Sequence, residues 1–385
     1  MEKIQQKNKL IFVLNAGSSS LKFALLSDDM NKVLYGLVSE IGKRSTLTVN
    51  GDARSIECIS HKDALKKIFD AVAEHGISME QICAVGHRIV HGGVHLTVPM
   101  LVTPDVITEI KACQHLAPLH NPHNLSGINA ISALFPDLPQ IACFDTAFHS
   151  SNPKVATSYA LPVNYASEGF RRFGFHGLSY SSIVENLPKL SGHPLPSKLL
   201  AFHLGNGASE CAIVDGKSVA TTMGYSPLGG LTMGTRTGDI DGIAVLRLAE
   251  SLGIPETESL LNEQSGLAGL TGGKSNMAEL LASQAPEAKF AVEHFCYWAV
   301  RHAGSMIAAM GGLDAIVFTG GIGENAHSVR SKIIHSLSWL GVEISEARNR
   351  DGSSCIHHPH SRSEIWIVPA DEEKEIARHV VRVLF

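Results

Sequence analysis

Long apolar runs, blocks of basic residues and paired cysteines are what this chain lacks. No stretch approaches the ~18 consecutive apolar residues of a membrane span. Residues 10–14, LIFVL, are shorter than the ~7 to 15 residues of a signal-peptide core, although Lys3, Lys7 and Lys9 precede them in the manner of a basic leader. A targeting segment is not expected. The formal net charge is −5 with no basic block, which excludes partners that need one: no nucleic acid, no membrane. Seven cysteines, at 58, 83, 113, 143, 211, 296 and 355, contain no C-x-x-C pair. An odd, scattered set in a long chain excludes a disulfide framework and points to a reducing, cytoplasmic location. Aromatic residues are sparse at 6%, and charged residues make up 18% against 44% hydrophobic. That balance excludes disorder and leaves small molecules as the expected ligands.

What is present is a repeated α/β pattern in 385 residues, enough for two domains. Short β-like runs open the chain at 10–14, 21–27, 33–39 and 46–50. HKDALKKIFDAVAEHG then places Leu65, Ile68, Phe69 and Val72 on one helical stripe. Strand QICAVGHRIV, helices PDVITEIKACQHL and NPHNLSGINAISALFP, and strand PQIACF follow. The pattern restarts with KLLAFHL, ECAIVDG and KSVATT, helices near 239–251 and 287–310, strand DAIVF, a helix near 327–340, strand EIWIVP and a terminal helix from 371. Two similar α/β halves are expected. Residues 150–168 form the crossing, and the last helix returns to the first half. The boundaries are 1–149 with 370–385, and 150–369.

Three strands run into glycine-rich turns. In LNAGSSSLKF, Gly17 admits close backbone approach, Ser18, Ser19 and Ser20 offer hydroxyls, Asn15 an oxygen for a hydrated cation, and Lys22 a positive charge. HLGNGAS and TGGIGENA repeat the device, the second with a helix start near Asn325. Any one of them serves equally as an ordinary turn; three together favour a nucleotide. GLAGLTGGKS departs from a Walker A loop at Ala268 and follows no apolar strand. His87, His91 and His95 repeat at intervals of four, a metal-binding face if helical. On a strand, His87 and His91 instead form a packed or hydrogen-bonded pair. Arg88 and Val90 share the opposite side, one cation beside one apolar wall, as suits a small carboxylate with a short alkyl tail. Asp145 follows the strand PQIACF, where a functional carboxylate is common in open sheets. Asp371, Glu372 and Glu373 begin the last helix, a place where capping alone explains acidic residues.

These motifs, with LAPLHNP, RRFGFHG, PLGGLTMGTRTGD and the closing EE-x-x-IAR, resemble in order and extent those of the acetate kinase family. The resemblance implies an α/β protein of two ribonuclease H-like domains flanking a nucleotide cleft, the actin-like ATPase fold. It also implies a homodimer and reversible phosphoryl transfer from ATP to acetate, giving ADP and acetyl phosphate. Propionate, or another short-chain carboxylate, is the alternative acceptor. By the same resemblance Asn15 and Glu372 hold Mg2+ through water, with Mn2+ as a substitute, and Lys22 contacts the nucleotide phosphates. Arg88, Asp145, His176 and Arg236 are the implied catalytic set, Arg88 also clamping the substrate. Val90, Leu119, Phe175 and Pro227 wall the acetate pocket. His203, Leu204, Gly205, Asn206 and Gly207, together with Gly321, Ile322, Gly323, Glu324 and Asn325, form the implied nucleotide loops. One segment departs: where the family carries Asp-x-Arg, this chain has Asn276, Met277 and Ala278, which implies altered nucleotide affinity or base preference. An actin- or Hsp70-like conformational ATPase would share the loops without the acetate pocket, and a histidine-metal hydrolase would need the histidines as ligands.

Overall fold

The computed structural model describes residues 9–385; Lys3 and Lys7 of the leader-like stretch lie outside them. The chain divides into two compact units, residues 1–147 with 371–385 and residues 148–370.

The first unit is built on an eight-stranded sheet. Its strands are β1 (Leu10–Ala16), β2 (Leu21–Ser27), β3 (Lys32–Ser39), β4 (Thr46–Val49), β5 (Asp52–Ser55), β6 (Ile82–Ile89), β7 (Met100–Leu101) and β8 (Gln140–Phe144), in the order β5-β4-β3-β2-β1-β6-β8-β7. β1, β2 and β3 form an antiparallel meander, after which β6 pairs parallel to β1 and β8 parallel to β6. Alternation along β1 sends Leu10, Phe12 and Leu14 to one face, where they pack with Leu65, Ile68, Phe69 and Val72 of helix His61–Glu74. Each such side chain contributes about 1.5–3 kcal/mol when fully buried. Helix Glu372–Leu384 returns to this unit as expected. Gly86 in β6 makes room for it, because a Cβ there would lie 2.4 Å from Ile376.

The second unit repeats the scheme in five strands: β9 (Lys198–Leu204), β10 (Ala208–Val214), β11 (Lys217–Thr221), β12 (Ala315–Thr319) and β13 (Glu364–Ile367). The order is β11-β10-β9-β12-β13, with β12 parallel to both β9 and β13. Three antiparallel strands followed by two parallel ones therefore occur in both units, although their sequences are too dissimilar to show it. Helix Gly177–Ser191 covers one face through Tyr180, Ile183 and Leu187.

TGGIGENA is itself a short helix, Gly320–Asn325, and the helix start expected near Asn325 is that of a separate helix at His327. Gly320 has φ +78°, which turns the chain from β12 into the helix with no loop; a Cβ there would sit 2.7 Å from the Leu204 carbonyl oxygen. GLAGLTGGKS contains helix Gly266–Thr271 and ends it at Gly272, in left-handed conformation, so these glycines stop a helix. Among the described residues no helix is long and apolar enough to cross a membrane.

Candidate active site

In the first unit the parallel strands β1, β6 and β8 end side by side, and ligands of open α/β sheets bind at the carboxyl ends of strands. Each strand delivers one polar side chain there: Asn15 near the end of β1, Arg88 near the end of β6, and Asp145 directly after β8. Arg88 and Asp145 form a forked pair. Nε lies 3.2 Å from both carboxylate oxygens and Nη2 lies 2.7 Å from Oδ2. The edge carrying Nε and Nη2 is thereby occupied, and Nη1 faces Glu372 at 3.6 Å. The Asp145 side chain is 2% exposed and that of Arg88 20%. Burial opposes the charge on Arg88, but Asp145 and Glu372 outweigh it and its pKa rises. Burial raises the Asp145 pKa, and Arg88 pulls it back. The result is a fixed cation, gripped by Asp145 along one edge and faced more loosely by Glu372 at Nη1.

Asn15 faces Lys22 across the β1–β2 ladder, and Lys22 Nζ lies 2.5 Å from Glu373. Lys32 meets Asp371 at 2.9 Å and Glu373 at 3.3 Å. Burial raises the Glu373 pKa, but Lys22 and Lys32 prevail and hold it below the ordinary carboxylate range. The side chain of Lys22 is 59% exposed, so its ion pair is worth little and a phosphate could replace it. The Gly17–Ser20 turn exposes Ser18 and Ser19.

His87 and His91 find separate partners: His87 Nε2 lies 2.7 Å from Gln140 Oε1, while His91 Nδ1 accepts the Gly93 N–H. β6 ends at Ile89, before His91. Among the described residues no three His, Cys, Asp or Glu groups assemble as a metal site.

In the second unit His176 begins helix Gly177–Ser191 in left-handed conformation, φ 58°. Its ring stacks on His203 with centroids 4.1 Å apart, and Nδ1 lies 2.8 Å from Ser209 Oγ. Ser209 Oγ is 2.5 Å from the hydroxyl of Tyr180. Burial first, then Cys211, keeps that phenol protonated well above its usual range. Ser209 Oγ thus bridges the Tyr180 hydroxyl and His176 Nδ1 on one side of the ring, with Nε2 on the other. A Cβ at Gly207 would sit 3.2 Å from that Nε2 and 3.7 Å from Arg236 Nη1. Gly207 therefore lets the backbone pass close to both side chains. Arg236 Nη1 also bonds the Pro227 carbonyl at 3.3 Å. Its loop is pinned by helix Gly266–Thr271, whose Leu267 and Ala268 N–H groups donate to Met233 and Gly234.

A cavity of about 440 Å³ lies next to β9 and β12. Gly205, Asn206, Asn276, Met277, Ala278, Gly321, Ile322 and Asn325 line it, as the sequence predicts, and none of its lining residues is charged. His203, Leu204, Gly207, Gly323 and Glu324 do not line it. Leu204 is core, and Glu324 Oε1 instead accepts the N–H groups of Gly320 and Ala370 at 2.9 and 2.8 Å. Asn276 caps helix Met277–Ala282 through Oδ1, which leaves its NH2 as a neutral donor. Of the residues expected to wall the acetate pocket, Val90 is half-buried and Leu119 exposed in the first unit, while Phe175 is buried and Pro227 half-buried in the second.

Residues that hold this geometry were not found by sequence reasoning. Arg330, buried, donates from Nη1 to the carbonyls of Gly323 and Glu324, both at 2.8 Å, and fixes the end of helix Gly320–Asn325. Asn124 donates to Ala16 O and accepts from the Val90 N–H. Tyr180 and Ser209 orient His176. Ser209 closes HLGNGAS, which was a usable signal; the others carry none.

The profile of the Acetokinase family matches residues 10–378. An acetate kinase of Rhodopseudomonas palustris (strain ATCC BAA-98 / CGA009) is 44% identical over 97% of this chain and 98% of its own length. A propionate kinase from Francisella tularensis subsp. tularensis SCHU S4 superposes with a TM-score of 0.93 at 37% identity, covering 98% of this chain and 100% of that one. Porphyromonas gingivalis acetate kinase gives 0.90 at 34% identity with the same coverage. The α/β architecture read from the sequence, that of the actin-like ATPases, is the fold of these structures.

Proposed function

This chain belongs to the acetokinase family, phosphotransferases that use ATP with a carboxylate acceptor, and we propose that it converts ATP and acetate reversibly into ADP and acetyl phosphate. The observation that carries the reading is the Arg88–Asp145 fork, a guanidinium held by one edge at the ends of parallel strands. Acetate is already ionised at neutral pH and needs no general base. Catalysis is then positioning and charge neutralisation.

Arg88 takes the acceptor carboxylate, oriented by Asp145. His176 Nε2–H and Arg236 Nη1 bind the equatorial oxygens of the phosphoryl group during in-line transfer. Val90, Leu119, Phe175 and Pro227 limit the acyl chain. Residues 1–147 with 371–385 carry Arg88 and the phosphate turn, and 148–370 the seat for base and ribose. Asn15 and Glu372 offer hard oxygen donors of the kind Mg2+ or Mn2+ accepts through water. They fit such an ion because Lys22, the cross-strand neighbour of Asn15, bonds Glu373 and so draws the start of the last helix beside β1. A bound ion would neutralise charge on the nucleotide phosphates.

The neutral 440 Å³ cavity is the seat for base and ribose. Without the family's Asp-x-Arg, its recognition of the base rests on amides, backbone and apolar contact, and discrimination should weaken. Propionate is the second reading, favoured by likeness to the Francisella enzyme. A cytoplasmic location agrees with seven free cysteines. A homodimer agrees with helix Gly242–Leu252, GIAVLRLAESL, which has no buried residue although Ile243 and Leu246 are 63% and 59% exposed.

A hydroxamate assay with acetate, propionate and butyrate against ATP and GTP tests the reading. The expected result is acetate-dependent acyl phosphate formation, with ATP and GTP within about tenfold in kcat/KM, since one neutral contact distinguishes bases by only ~1 kcal/mol. No acyl phosphate from any acid would refute the function; strict use of ATP would refute the weakened discrimination.

A further inference from the structure

The turn after β1 is held from behind by three parts of the first unit. Asn124 Nδ2 donates to the Ala16 carbonyl at 2.8 Å, His61 Nε2 to the Gly17 carbonyl at 2.8 Å, and the Ile41 N–H to the Ser19 carbonyl at 3.0 Å. A trans peptide is planar, with its C=O and N–H pointing in opposite directions. Pinning the Gly17 carbonyl toward helix His61–Glu74 therefore turns the Ser18 N–H away from that helix. Pinning the Ser19 carbonyl does the same for the Ser20 N–H. Only the Gly17 N–H is spent within the turn, on the Ser20 carbonyl at 2.9 Å.

Resting on the assignment of this turn to the nucleotide phosphates, we propose that His61 is a positioning residue that aims the Ser18 amide at them. The ring is set for this one bond. A carbonyl oxygen only accepts, so Nε2 carries the ring proton, and Ser126 Oγ approaches the other nitrogen, Nδ1, at 3.3 Å. The histidine is itself fixed at the first position of its helix, whose N-cap Ser60 accepts the Asp63 N–H. It is half-buried and lies outside the hydrophobic core that Leu65, Ile68, Phe69 and Val72 form from the same helix. Its ties run to the turn and to helix Asn121–Leu134, through Ser126 and the ring of His123 at 5.8 Å between centroids, and not to that hydrophobic core.

His61→Leu keeps the bulk and removes the donor, and His61→Gln restores an N–H at the reach of Nε2. Steady-state kinetics on the full chain, varying ATP and acetate separately, read the effect. In His61→Leu, kcat/KM for ATP should fall about 10- to 100-fold, as misplacing a reacting group does, with KM for acetate within about twofold. His61→Gln should recover to within about threefold of wild type. Unchanged ATP parameters in His61→Leu would overturn the proposal, as would an equal loss toward both substrates without recovery in His61→Gln. If His61→Leu does not fold, Ser126→Ala, which frees Nδ1, takes its place and should raise KM for ATP alone; no change would again overturn it. A wild-type protein that makes no acyl phosphate sinks the function reading, whereas an active wild type indifferent to these changes sinks only the role of His61.

Discussion

Replacing Asp145 by Asn tests the acceptor site most directly, because the side chain keeps its volume and loses only charge and one acceptor. Three contacts join the pair: Nε to both oxygens at 3.2 Å and Nη2 to Oδ2 at 2.7 Å. In Asp145→Asn one oxygen becomes an NH2 group, which repels whichever N–H of Arg88 it meets. With the NH2 in place of Oδ1 both contacts to Oδ2 survive, and with it in place of Oδ2 only that of Nε to Oδ1 does. A hydrogen bond to a charged group is worth about 1.5–3 kcal/mol, so losing one or two costs about 3 kcal/mol of orientation in the transition state. At 1.36 kcal/mol per decade that is roughly a hundredfold.

The loss should fall on kcat/KM for acetate in the hydroxamate assay. Stability should fall less than the 3–5 kcal/mol typical of an orphaned buried charge, because Glu372 stands 3.6 Å from Nη1 and remains as counter-ion. Urea unfolding should accordingly show a loss of about 1–3 kcal/mol. A variant within threefold of wild type in kcat/KM would show that the fork is a structural ion pair and that Asp145 orients nothing in catalysis.

Two further outcomes follow from the second unit. Glu210, in the middle of β10, is fully buried with no hydrogen-bond partner for either carboxyl oxygen, and burial raises its pKa well above 4.5. Above pH ~4.5 the unfolded chain has released this proton while the folded chain keeps it until its raised pKa is reached, so across that window stability falls by about 1.4 kcal/mol per pH unit as pH rises. In Glu210→Gln that slope should vanish from urea unfolding measured between pH 5 and 7; an unchanged slope would refute it. Light scattering should give twice the chain mass, and Ile243→Asp, placing a charge on the exposed helix Gly242–Leu252, should shift it toward the monomer; a monomeric wild type would exclude the homodimer.

Much of the fold was legible because it rests on short-range patterns. Short apolar runs bounded by turn residues marked β1, β2 and β9, and the 3.6-residue stripe of Leu65, Ile68, Phe69 and Val72 marked its helix. Strand β5, DARS, escaped because all four residues are exposed and alternate nothing. The two-residue β7 is too short for any period. Helices Ile254–Glu263 and Met277–Ala282 are bounded by capping at Gly253 and Asn276 and bury few residues, so their stripes are weak. The short helix Gly320–Asn325 escaped for another reason. Gly320 acts through a positive φ against the Leu204 carbonyl, and that constraint comes from β9, more than a hundred residues earlier.

The same distinction separates the parts of the site. Side chains that face a ligand sit next to signals that sequence displays, glycines and strand ends: Arg88 and Asp145 close apolar strands, and His176 follows Gly174. Side chains that aim those groups act across the chain. Asn124 is 108 residues from Ala16, His61 is 44 from Gly17, and Ser209 is 33 from His176. Only Ser209 has a local mark, the glycine-rich turn it closes, because a hydrogen bond to a distant group imposes no period and no spacing. Each lies on an element whose own pattern is already explained by packing, so the polar residue reads as surface or as a cap. A site of this kind shows its reacting groups in one dimension and its precision only in three, and variants of the aiming residues should therefore alter rate and KM more than they alter stability.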